Sequence, residues 1–275
     1  VGGWGGLLLL PLASGLLPRP LEIHLIDIGQ GDAILVRSPR GAWTLIDTGP
    51  GPGEDLLRGL ARRGVRRLET LVVTHPDLDH LGAAAAVLRT VDVGAILGPG
   101  MLRGTEAVSE LVAAARAESV PWRVASPGDE WRVDGSEWRI LHAGGSGLPP
   151  NDRSIVIHLR HGAFDALLTG DVSSSVEDAL PARLAPGTTI EVLKVAHHGS
   201  ATSTSEALLD ALRPRAALVS AGRGNRFGHP APVVVRRIER RGIPLLRTDR
   251  GGDLVVRGHR DGSFAAEARY AATGS

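Results

Sequence analysis

The stretch Thr74-His75-Pro76-Asp77-Leu78-Asp79-His80 constrains this chain more than any other. It puts four potential metal ligands, His75, Asp77, Asp79 and His80, within six residues. Before it lies Leu71-Val72-Val73, an apolar run expected to be a buried strand. After it, Leu81 to Leu88 is alanine-rich and expected to be helical. The ligands therefore fall on a strand-to-helix loop. Alternate residues of an extended loop point the same way, so His75, Asp77 and Asp79 can converge, and His80 enters as the helix begins. Imidazole with carboxylate suits zinc, manganese or iron. Helix capping by Asp79 would explain one acid but not two flanked by histidines.

Composition narrows the classes. The 275 residues, 43% hydrophobic, suffice for one large core, or a core with a small appendage. The absence of cysteine excludes disulfides and thiolate-bound zinc. A net charge of +1 gives no bulk field to attract nucleic acid. Lys194 is the sole lysine among 31 basic residues, the rest being arginine.

Residues 1–20 stand apart, apolar and uncharged until Arg19. Pro11 would kink a helix there, and the basic start of a signal peptide is missing. The segment is expected to be the end of a transmembrane helix or a linker, with residues 21–275 forming the folded unit.

From Leu21, LEIHLIDI, AILVR and WTLID read as strands, and residues 54–64 as a helix closed by Gly64. Residues 94–98 read as a strand and 105–119 as a helix. Residues 122–143 are expected to form an antiparallel set, and 154–161 with 163–171 a hairpin around Gly162. Helices are expected near 174–184, at 203–214 and at 231–242, with strands at 190–196 and 216–222 and three more to close. The order runs strands first, then helix and strand alternating, and does so twice. It predicts an α/β fold of two sheets face to face with helices outside, a four-layer αββα sandwich. Asp47, the 75–80 loop, Asp171, His197, His198 and the loop to His229 all follow predicted strands, where functional loops gather.

Asp171 can bridge two cations held about 3.5–4 Å apart, or cap the helix that follows. Of His197 and His198, one is expected to bind metal while the other orients it or meets substrate. The reading favours His197 as ligand, with His198 beside the substrate. Asp47 would accept from a metal-bound imidazole. Asp32 and Asp152 are further supporting carboxylates, and Asp152 a candidate extra ligand; turn chemistry explains both nearly as well. In the Asn225–Pro230 loop, His229 and the helix start behind it would suit a phosphate oxygen. Lys194 and Asn225 join His198 and His229 as candidate substrate contacts.

These residues resemble a known family. THPDLDH is similar to the HxHxDH signature of the metallo-β-lactamase superfamily, with Asp77 where the second His stands, and LIDTG (45–49) and LLTGD (167–171) match further elements. More narrowly, HLIDIGQGDAILV (24–36), NDRSIVIHL (151–159), LKVAHHGS (193–200) and GNRFGHP (224–230) look like the C-terminal domain of ComEC-type competence proteins, membrane channels for DNA uptake. The resemblance implies the αββα fold and two divalent cations. His75, Asp77 and Asp171 would hold one; Asp79, His80, Asp171 and His197 the other. Carboxylate at 77 shifts preference from zinc toward manganese or magnesium. It also implies a nuclease that hydrolyses the DNA strand not taken up, with a hydroxide generated at the metals, Asp79, Asp171 and His229 serving catalysis. The partners implied are single-stranded DNA and the channel domain of the same protein, the domain being membrane-tethered on the extracytoplasmic side. Two other readings fit the motifs: a small-molecule ester hydrolase of choline-phosphate esterase or lactonase type, and a non-catalytic DNA-binding module.

Overall fold

Neighbouring residues on a strand face opposite ways, and this chain uses that alternation to build two cores from each sheet. Leu71 packs outward with Leu45, Leu56, Leu60, Val87 and Leu111. Its neighbour Val72 packs inward with Ile46, Trp138, Ile157 and Leu168. In the other half Leu168 faces inward, while Leu167 faces out toward Leu180, Leu208, Leu209 and Ile238. Three apolar layers result: helix against sheet, sheet against sheet, sheet against helix. This is the four-layer αββα sandwich.

These features come from a computed structural model that describes residues 19–100, 105–145 and 147–269. The expected membrane or linker segment lies outside the described residues up to position 18. No helix among the described residues is long and apolar enough to cross a membrane.

The first sheet has eight strands in the order 264–269, 253–258, 21–25, 34–37, 43–46, 70–72, 96–98, 122–124. The second has seven, in the order 245–247, 216–219, 192–194, 164–168, 156–161, 136–142, 130–133. Each sheet is antiparallel on one side and parallel on the other. The parallel strands Trp43–Ile46 and Thr70–Val72, like Phe164–Leu168, Val192–Lys194 and Ala216–Val219, therefore send their C-terminal loops to a common edge.

Some elements depart from expectation. Trp122–Val124 leaves the expected antiparallel set and pairs parallel to Ile96–Gly98 at the edge of the first sheet. The helix Glu106–Ala117 is the crossover that a parallel pair requires. The true hairpin joins 130–133 to 136–142 through Asp134 and Gly135, both at positive φ (48° and 85°), as a two-residue hairpin turn demands. The helix expected over 174–184 divides into Ser174–Glu177 and a 3₁₀ turn at Pro181–Arg183, since Pro181 brings no N–H to continue it.

Glu177 is fully buried and accepts N–H bonds from Thr204 and Ser205 at 2.8 and 3.0 Å, tying down the start of helix Glu206–Leu212. Burial outweighs those two bonds and pushes its carboxyl up to about 7. An acid that is harder to ionise when folded stabilises the fold below its unfolded value of 4.5. It loses that contribution as pH climbs through about 7. Between about pH 5 and about pH 8 the wild type should lose about 3 kcal/mol that Glu177→Gln does not. Denaturant titrations of both proteins at the two pH values check this.

Candidate metal centre

Asp47 ends strand Trp43–Ile46 in a left-handed conformation (φ 59°) that turns its carboxylate under the 74–80 loop. Oδ1 accepts from the Thr74 backbone N–H at 2.8 Å. Oδ2 accepts from the Thr74 hydroxyl at 2.6 Å and pairs with His80 Nδ1 at 2.7 Å. This contact fixes the tautomers of the neutral rings, the form in which an imidazole binds a cation. His80 must carry its proton on Nδ1, which leaves Nε2 bare. The Thr74 hydroxyl gives its one hydrogen to Asp47, so it can only accept from His75 Nδ1, 3.0 Å away. His75 Nε2 is then bare too. His198 Nδ1 lies 3.0 Å from the Ser220 carbonyl, which can only accept, so its Nε2 is the third.

These bare nitrogens surround Asp171. Its Oδ2 lies 3.2 Å from His80 Nε2 and 3.4 Å from His198 Nε2, and Asp79 Oδ2 is 3.4 Å from the same His198 nitrogen. Donor atoms of His75, His80 and Asp171 converge within 4.8 Å, as do those of Asp79, His80 and His198, and of Asp32, Asp171 and His198. Nε2 of His75, His80 and His198 and Oδ1 of Asp171 are buried with no hydrogen-bond partner. Buried polar atoms are rarely left so, and four of them facing one spot fit divalent cations held by nitrogen and oxygen.

Electrostatics agree. Burial works against an imidazolium at His80, but Asp171 and Asp47 outweigh it and hold the pKa well above the usual value. Burial likewise opposes charge on His198, yet Asp171, Asp32 and Asp79 hold it up at about 9. Asp171 feels burial first, but His198 and His80 draw its carboxyl well below the usual range. Without a cation these carboxylates favour protons on His80 and His198, and a divalent cation would replace those protons at Nε2; either way the site stabilises positive charge at its centre.

The two adjacent histidines are placed the other way round from the expectation. His198 is buried and faces Asp171 and Asp79; His197 is more exposed, with Nε2 3.9 Å from Asp171 and 3.1 Å from the Asn151 amide. His197 belongs to none of the converging sets. Strand alternation does not apply here, because the strand ends at Lys194 and both histidines are left-handed, at φ 51° and 53°. Asp77 stands half-exposed at the rim, 3.6 Å from His75 Nε2, and is also outside those sets.

Lys194 cannot meet substrate. Its side chain is fully buried and paired with Asp32 at 2.7 Å. Asp32 supports the site, its Oδ1 lying 3.4 Å from His198 Nδ1. Asp152 is committed elsewhere: it accepts from Ser173 N–H at 2.7 Å and from the Ser175 hydroxyl at 3.4 Å, holding the turn that enters Ser174–Glu177. Asn225 spends its amide on its own loop, donating to the Gly222 and His229 carbonyls and accepting from His229 N–H. His229 sits at the rim, its ring 5.6 Å from that of His197 and its Nδ1 buried without a partner. Burial, then His197 and His198, lower its pKa and keep it neutral. Thr74 and the Ser220 carbonyl, which set two tautomers, carry no sequence signal beyond Thr74 adjoining His75.

The chain between 26 and 223 matches the model of the Metallo-beta-lactamase superfamily. It belongs to that superfamily. It is 32% identical to ComE operon protein 3 of Bacillus subtilis over 90% of its length, and 31% identical to competence protein ComA of Neisseria gonorrhoeae, also over 90%. It spans only 34% and 36% of those two proteins. Among solved structures it is similar to the metallo-beta-lactamase fold protein YhfI of Bacillus subtilis, with TM-score 0.59 and 9% identity. That match covers 85% of this chain and 98% of the other. The fold is that of a metal-dependent hydrolase, and the chain is related to competence proteins.

Asp47→Ala would release His80 and Thr74 together. Removing a carboxylate that orients a ligating imidazole typically costs about 10- to 100-fold in metal affinity. Calorimetric Mn²⁺ or Zn²⁺ titration should show a loss of that size, and unchanged affinity would contradict the role given to Asp47.

Proposed function

We propose that this chain is a metal-dependent phosphodiesterase acting on DNA, the nuclease unit of a competence channel. The observation that supports it most is the set of three imidazoles locked with bare Nε2 atoms around Asp171, in a chain similar to two competence proteins. In this reading His75 and Asp77 hold one cation, Asp79, His80 and His198 the other, and Asp171 lies between. The donors suit manganese or zinc, with magnesium as a further option. Such cations bring the pKa of water to about 7 and draw charge from phosphoryl oxygens.

The protein's own groups do the rest. Asp47 and Thr74 hold the imidazoles in one orientation, so binding requires no rearrangement. Neutral His229, at the rim, donates one N–H to a non-bridging phosphate oxygen. The rim is accessible through Asp77, Asp79, His197 and His229, none of which is fully buried, so a phosphodiester within a long strand can reach it. The unit is proposed to be tethered to the channel of a longer protein, on the extracytoplasmic side.

Asp79→Ala should abolish cleavage of a single-stranded oligonucleotide with Mn²⁺, Zn²⁺ or Mg²⁺, to the level of a chelator control, while circular dichroism stays unchanged. Cleavage at the wild-type rate would sink the scheme. A wild-type protein that cuts no DNA with any of the three metals but hydrolyses phosphocholine esters or lactones would transfer the site to the small-molecule reading.

A further inference from the structure

Phe227 is 53% exposed in a chain with few aromatic residues. A single exposed apolar side chain is ordinary. This one ends a ladder of rings. Its ring stacks on His229 with centroids 5.8 Å apart and planes 25° apart, and His229 stacks on His198 at 6.5 Å and 27°. The ladder runs from open surface down to the buried imidazole that faces Asp171. The guanidinium of Arg226 lies 4.9 Å from the Phe227 ring centroid.

The loop that carries the ring is built to stay in place. Asn225 clamps it through bonds of 2.9, 2.6 and 3.0 Å to Gly222 and His229. Gly222 N–H donates to the Gln30 side chain at 3.2 Å, and a side chain at 222 would meet the Gln30 backbone at 2.8 Å. Ordering an exposed aromatic on a fixed loop costs little further entropy when it meets a flat partner.

We propose that Phe227 is a stacking platform for a nucleobase, and that Arg226 meets the adjoining phosphate. The platform would hold the nucleotide next to the phosphodiester presented at the cluster. A base can lie on it only when unpaired from its complement, so the surface selects single-stranded nucleic acid. This rests on the phosphodiesterase reading for its purpose, but binding can be read without catalysis.

The test is binding of a fluorescent single-stranded DNA oligonucleotide to the chelated protein, with Mn²⁺-dependent cleavage followed in parallel. Stacking on one aromatic ring should make Phe227→Ala bind about tenfold more weakly. Phe227→Trp should restore binding. Moving one abasic site along the oligonucleotide should reveal a position that matters to wild type but not to Phe227→Ala, which a purely structural role would not produce. Wild-type affinity in Phe227→Ala, or the same abasic profile in both proteins, overturns the proposal. Absence of cleavage by wild type, with the binding difference intact, overturns the nuclease reading and leaves the platform standing.

Discussion

Asp171→Asn is expected to lower metal-dependent hydrolysis by about 10³-fold or more. The carboxylate is buried at the centre of the cluster, 3.2 Å from His80 Nε2 and 3.4 Å from His198 Nε2. Asparagine keeps the shape but removes the charge. Worse, its amide would present N–H groups to nitrogens that Asp47 and Ser220 have already committed as acceptors, or leave one weak oxygen where two were available. Loss of several kcal/mol of charge stabilisation corresponds to about a thousandfold in rate. Turnover and metal stoichiometry should fall together. A variant that binds two equivalents of Mn²⁺ and turns over normally would show that Asp171 is not central.

Lys194→Met should have the largest effect on stability, about 3–5 kcal/mol, because it breaks a buried ion pair from one side. Burial drives the Asp32 carboxyl toward neutrality, but Lys194 and His198 overcome it and hold its pKa well below the usual range. Without the ammonium, a fully buried carboxylate would rely on His198 and, more weakly, His80. For a chain of this size that is roughly 10 °C in the melting temperature. The double variant Lys194→Met/Asp32→Leu should regain much of the loss, since an apolar pair of similar volume carries no buried charge. It should still bind metal more weakly than wild type, because Asp32 also faces His198. Calorimetric melting of the chelated proteins measures both effects. A single variant as stable as wild type would contradict the account of this pair.

What could be read from the residues, and what could not, divides along a physical line. The sandwich was legible because continuous apolar runs are local: Leu71 and Val72, or Leu167 and Leu168, mark strands buried on both faces wherever they end up. The rim was legible because each candidate follows a strand end. Which of His197 and His198 faces the cluster was not, since alternation stops where the backbone turns left-handed, and nothing short-range signals two successive non-glycine residues there. Lys194 looked like a substrate contact because a rare residue beside the site invites one. Its partner Asp32 is far away in sequence, and only the packing of the two sheets joins them. Asp152 was ambiguous for the opposite reason: a turn and a metal site ask for the same residue type. Trp122–Val124 was misassigned to its sequence neighbours because a strand's partners depend on the helix before it, here a crossover.

Anomalous diffraction from crystals grown with Mn²⁺ tests the central claim most directly. The account predicts two peaks about 3.5–4 Å apart on either side of Asp171. His75 should lie within bonding distance of one, Asp79 and His198 of the other, with His197 outside both. Peaks absent from this cluster, or a cation ligated by His197 in place of His198, would contradict it.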